Sequence, residues 1–166
     1  MKKQRAIYLL SITAILLAML GVGLAETLNS FRNTDDIAVV VNEKNSATSV
    51  TMSDLRKILL GERKFWKGSS PVQLVLRDPG TPERDKVIGL SLKMNDAEFA
   101  KYWRTMVFRG EASGEPLAVP SNGMAAEYVA DTPGAITFVI GRNLRPDLKV
   151  LKVDGKYPGE SGYPLK

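Results

Sequence analysis

The chain of 166 residues contains no cysteine and no histidine. Without cysteine no disulfide can staple the fold, and the residue that lipoprotein anchoring requires is missing. Without either residue the usual zinc ligands are gone, and Ser-His-Asp and Cys-His catalysis is impossible. Gly159-Glu160-Ser161-Gly162 is no nucleophile elbow, because its second glycine falls one place too early and no strand precedes it. The expectation is a protein that is not an enzyme, with no catalytic residue, metal or cofactor. Charge is also modest. Of the formal +5, Lys2, Lys3 and Arg5 carry three units, which leaves 5 − 3 = +2 for the rest. That balance is too weak and too scattered for a nucleic-acid partner.

Those three cations open a leader pattern. Ala6 to Leu20 is almost wholly apolar, and Gly23-Leu24-Ala25 supplies small residues where a signal peptidase needs them. Cleavage after Ala25 and export to the periplasm are expected. The alternative is an uncleaved anchor, since Ala6 to Ala25 just reaches across a hydrocarbon layer of ~30 Å. What remains, about 140 residues (166 − 25), is enough for one core. The expected organisation is a signal peptide over 1–25, a loosely held segment over 26–36, a folded domain over 37–155 and an irregular tail over 156–166.

One stretch organises that domain. Val72, Leu74, Val75 and Leu76 form a short apolar run that suits a buried strand. Pro79-Gly80 turns the chain, and Thr81 then stands at a helix N-cap with Pro82 at the first helical position. Arg77, the Thr81 hydroxyl and free backbone N–H groups therefore meet at one point, which is the chemistry of a small anion site. The plain alternative is a well-capped strand–helix connection in which Arg77 meets a local carboxylate.

The rest of the chain alternates strand and helix patterns. Ile37 to Val41 is a continuous β-branched run, expected as a strand buried on both faces, and Asn42 to Ser49 is expected as loop. Thr51 caps a helix carrying Met52, Leu55, Ile58 and Leu59 on one face, and Gly61 ends it. Phe65-Trp66 sits in a basic loop and is expected to close the edge of a core. Asn95 and Glu98 form a capping box before the clearest stripe, Phe99, Tyr102, Trp103, Met106 and Val107. Glu111 to Pro120 is expected as loop. Ser121 caps a short helix, Ala135 to Ile140 is a strand, and Leu148 to Val153 another. This order predicts a three-layer α/β/α domain with a small, mainly parallel sheet.

Several motifs in order carry a resemblance: Val41-Asn42, Leu55 to Gly61, Phe65-Trp66-Lys67-Gly68, Arg77-Asp78-Pro79-Gly80-Thr81, Tyr102-Trp103, Phe108-Arg109-Gly110 and Thr132 to Val139. Over about Ile37 to Val153 the chain resembles the phosphate-binding periplasmic proteins of ABC transporters. It looks most like their short relatives that hold a single lobe of the type II periplasmic-binding-protein fold. The resemblance implies weak binding of phosphate or a similar oxyanion at Arg77, Gly80 and Thr81, with Ser121 and Asn122 contributing if the loops converge. It also implies a link to ABC-type transport. The family's turn reads Arg-Ser-Asp-Gly-Ser-Gly-Thr. Here Thr81 takes the place of its serine and Glu83 that of its threonine, and Pro79 and Pro82 each remove one N–H. Those departures keep a second reading open, a ligand-free module of the same fold that docks a membrane or envelope protein partner.

Overall fold

The computed structural model describes residues 34–68 and 70–166. The expected leader over Met1 to Ala25, and residues 26–33 of the segment after it, lie outside the described residues. Six strands form one sheet: β1 (Ile37–Val41), β2 (Ser49–Val50), β3 (Gln73–Arg77), β4 (Leu117–Val119), β5 (Ala135–Ile140) and β6 (Lys149–Val153). Four helices accompany them: α1 (Met52–Leu59), α2 (Pro82–Leu92), α3 (Asp96–Phe108) and α4 (Asn122–Asp131). The strand order is β2-β6-β1-β5-β3-β4.

β1 lies near the middle of the sheet, and all five of its residues are 0% exposed. Alternation along it assigns the two faces. Ile37, Val39 and Val41 join the core under α1, α2 and α3. Ala38 and Val40 join a smaller core with Ala125, Ala126 and Val129 of α4 and with Leu144 and Leu148. Helices thus cover both faces, and the α/β/α layering expected from the sequence is present. Each Val or Ile buried there contributes about 1.5–3 kcal/mol.

Five of the six strands run in one direction, as the expected mainly parallel sheet requires, and β1 alone is reversed, which makes the sheet mixed. β1 runs antiparallel to both neighbours, β5 and β6, while the β2–β6, β3–β5 and β3–β4 pairs are parallel. A β-branched run reports burial on both faces and carries no information about the direction of its neighbours. Two strands expected as loop also appear. β2 has two residues and β4 three, both at the sheet edges, too short to show a period.

Helix starts match the caps in the sequence. Thr51–Asp54 and Asn95–Glu98 both form reciprocal capping boxes. α1 stops at Leu60, and Gly61 turns the chain at φ 69°. Trp103 lies directly against that turn: its Nε1 donates to Leu59 O at 3.1 Å, and neighbouring Tyr102 donates to Leu60 O at 2.9 Å. The aromatic pair in the basic loop splits. Trp66 is buried and donates to Gly134 O at 2.9 Å, whereas Phe65 is 58% exposed.

The C-terminal segment contains no helix or strand after β6, yet it belongs to the core. Tyr163 and Leu165 are buried, Tyr163 donates its hydroxyl to Ile37 O at 2.6 Å, and Ile37 N–H donates to Leu165 O at 2.8 Å. Asp36, just ahead of β1 at the same end, is also held, accepting from Gly159 N–H at 2.8 Å.

Candidate anion site

β3 ends at Arg77, and its pairing with β4 carries the α4 N-terminus to the same edge of the sheet. Between β3 and α2 the chain makes one tight turn. Gly80 takes φ 79°, a left-handed conformation that glycine adopts without steric cost. Thr81 N–H donates to Asp78 O at 3.3 Å. Thr81 occupies the N-cap position of α2, but its side chain caps nothing: its hydroxyl donates to Asp78 O at 2.8 Å. The expected donor is therefore turned back onto the loop.

Arg77 and Asn122 do converge. One terminal guanidinium nitrogen, Nη1, donates to Asn122 Oδ1 at 2.5 Å, and the other, Nη2, to Pro120 O at 2.8 Å. The third member is Glu83. Its residue is 7% exposed, its Oε1 accepts from Asn122 Nδ2 at 2.9 Å, and it lies 3.6 Å from Arg77 Nη1. Asn122 thus bridges the charges, its oxygen on the guanidinium and its amide on the carboxylate. Burial pushes the Glu83 carboxyl up. The Asn122 amide, Glu83's own N–H, and the Arg77 and Arg142 guanidinium groups outweigh burial and hold it below its ordinary value. As the second residue of α2, Glu83 also sits at the positive end of that helix.

Arg84 buttresses the cluster, a role the sequence pattern did not flag. Its Nε donates to Asp96 Oδ1 at 2.5 Å, its Nη1 donates to Arg77 O at 3.1 Å, and its guanidinium lies 5.6 Å from the Phe99 ring centre. It ties the end of β3 to the start of α3. Ser121 is used locally, accepting from Met124 N–H at 3.1 Å as the cap of α4. Of the expected site residues, Arg77 and Asn122 are in contact. Thr81 and Ser121 are engaged in their own turns, and Gly80 is exposed at the tip. One polar atom is left over: Arg77 Nε is buried without a hydrogen-bond partner.

Two surface clefts lie elsewhere. One of about 680 Å³ is lined by Arg63, Lys64, Gln73, Trp103, Glu111 and Tyr128 among others. A second of about 950 Å³ is bordered by Ser46, Thr48, Asp54, Lys67 and Asp154. Neither is lined by Arg77, Gly80, Thr81, Ser121 or Asn122. Among the described residues no group of three or more acidic side chains is placed to hold a metal ion, and no helix is long and apolar enough to cross a membrane.

A mixed six-stranded sheet between helical layers is the architecture of one lobe of a periplasmic-binding-protein-like fold of type II. Solved structures of phosphate-binding proteins share it. An ABC-type phosphate transport receptor from Vibrio cholerae matches at TM-score 0.60 and 22% identity, over 75% of this chain and 48% of that one. PstS from Borrelia burgdorferi matches at TM-score 0.63 and 21% identity, over 79% and 54%. A phosphate-binding protein from Stenotrophomonas maltophilia matches at TM-score 0.56 and 17% identity, over 75% and 40%. The chain spans about half the length of these structures. No family model matches it.

Proposed function

We propose that this chain is an extracytoplasmic module with one lobe of the phosphate-binding-protein fold, working as an interaction module and not as a solute carrier. The observation that carries the reading is the seat of Glu83. Its carboxylate takes Asn122 Nδ2 and the charge of Arg77 at the positive end of α2, which are groups an external oxyanion would need. A tethered carboxylate is present at high effective concentration, so a free anion must displace it to bind. The leader pattern of Lys2, Lys3, Arg5 and Gly23-Leu24-Ala25 supports export.

A second reading is weak oxyanion binding in competition with Glu83, linked to ABC-type phosphate transport. The buried Arg77 Nε without a partner favours it, since an entering oxyanion would supply the missing acceptor. An NMR titration with phosphate and sulfate at fixed ionic strength separates the two. The interaction-module reading expects no saturable shift at Gly80, Thr81 or Asn122 in the wild type. It also expects a saturable one to emerge in Glu83→Ala, where the seat is vacated. Saturable wild-type shifts that Arg77→Ala abolishes would replace it with the competitive-binding reading.

A further inference from the structure

The outward side of α3 has no role in the core or in the Arg77 cluster. Phe99 and Trp103 fix the inward side of this helix, and Ala97, Lys101, Arg104 and Phe108 fall on the opposite one at helical spacing. Phe108 is 92% exposed, at the last helical position, and Val107 beside it is partly exposed. Full exposure of a phenylalanine is uncommon for a ring of that size, and nothing in the fold requires it.

Three cations around it have no charged partner among the described residues. Arg77, Arg84, Arg142 and Arg145 all engage carboxylates. Lys101, Arg104 and Arg109 make no ion pair and no side-chain hydrogen bond among the described residues. The outward stripe itself contains no acid. Glu62 and Glu111 sit to one side, near Tyr102, whose phenol is raised first by burial and then by those two charges. Beyond that side the charge is of mixed sign: the cleft that Gly110 and Glu111 line carries Arg63, paired with Asp54, and Lys64 together with Glu111 and Glu115, so the basic patch is confined to the end of α3.

We infer that this end of α3 is a docking surface for an anionic lipid bilayer, with Phe108 entering the headgroup layer and Lys101, Arg104 and Arg109 pairing with lipid phosphates. An aromatic that projects from a helix end, ringed by unpaired cations, suits a flat, negatively charged, deformable surface. A protein partner would call for a broad patch with a buried aromatic centre, and here the exposed apolar surface is a single projecting corner. This surface is separate from the Arg77 cluster, so the inference stands whichever way that cluster reads.

The absence of cysteine makes a direct test simple. Thr105→Cys, beside the outward stripe, takes a single environment-sensitive fluorophore on the full chain. The label reports contact at α3 itself, whether or not an apolar leader also holds the chain on a vesicle. The probes are vesicles of phosphatidylglycerol with phosphatidylcholine, and of phosphatidylcholine alone. The expected result is a blue shift on the anionic vesicles only, reversed by high salt. Lys101→Ala should weaken it about fivefold, as one basic residue near an anionic surface does. Phe108→Ser should weaken it about tenfold through the lost apolar contact. Both positions are exposed, so unchanged far-UV dichroism is expected. An equal shift on neutral vesicles, insensitivity to salt, or no loss in either variant would overturn the assignment. So would a blue shift produced by an acidic protein and by neither vesicle.

Discussion

Glu83→Ala tests the cluster most directly, because it removes the carboxylate and leaves the guanidinium behind. Arg77 would keep Asn122 and Pro120 O as acceptors but lose its counter-charge, with only 13% of its side chain exposed. Breaking a fully buried pair from one side costs about 3–5 kcal/mol. The 3.6 Å separation and the hydrogen bonds that Arg77 retains place this case lower, at about 2–3 kcal/mol. Arg77→Met together with Glu83→Ala should cost less than the two single changes added, with a coupling of about 1–2 kcal/mol. Phosphate should rescue Glu83→Ala selectively: ligand at a hundred times its Kd adds about 2.7 kcal/mol. Acid should act through the same carboxylate. Its folded pKa is depressed, so its stabilisation is present above its ordinary value of 4.5 and is lost as pH falls through the lower folded value. Urea denaturation of the wild type and the three variants, with phosphate or with chloride at matched ionic strength, measures all of this. Strict additivity, or equal phosphate stabilisation of wild type and Glu83→Ala, would refute the claim that Glu83 occupies an anion's seat.

Gly61→Ala should destabilise by about 2–4 kcal/mol, since a Cβ at φ 69° would meet Trp103 Cη2 at 2.6 Å. A loss under about 0.5 kcal/mol in chemical denaturation would mean that the ring does not rest on that turn. Burial, and to a lesser degree Asp36, raise the Tyr163 phenol far above its ordinary value, so its contribution holds below about pH 10 and drains away as pH rises beyond it. Tyr163→Phe should cost about 1 kcal/mol at neutral pH by losing the bond to Ile37 O. It should also flatten stability between about pH 10 and 12, and an unchanged alkaline slope would exclude Tyr163 as its source.

The elements legible in the sequence were those whose signal is local. Thr51–Asp54 and Asn95–Glu98 announce helices because the cap is built from residues three apart, and the structure forms both. The stripe on α3 was legible for Phe99 and Trp103 and overreached at Val107, where the helix runs past the body it packs on. The mainly parallel sheet was legible from the alternation of strands and helices, but the reversal of β1 was not. β1 pairs with residues about a hundred positions away, and nothing in Ile37–Val41 encodes whether Ala135–Ile140 arrives parallel or antiparallel. The C-terminal segment is the same kind of case. A stretch rich in proline and glycine has no period to show, yet Tyr163 and Leu165 close the core by two bonds to a single residue, Ile37.

The cluster around Arg77 marks the limit of local reading from the other side. Sequence placed Arg77 at a strand end and Asn122 at a helix start, and parallel pairing of β3 with β4 makes them meet. What spacing could not decide was which anion the arginine meets. Glu83 at the second helical position is favourable in any helix, because it faces the positive end of the dipole. The same residue becomes an occupant only when Asn122, 39 positions later, turns its amide onto it. A first-turn acid therefore has two readings, a helix stabiliser and a built-in ligand. Burial favours the second: a carboxylate serving the helix alone can remain in water, while this one is 7% exposed and held by a partner from another helix. Such desolvation is unfavourable without paired charge and hydrogen bonds. The Arg77–Asn122–Glu83 arrangement supplies both, so vacating Glu83 is the change that should turn a closed lobe into one that accepts an oxyanion.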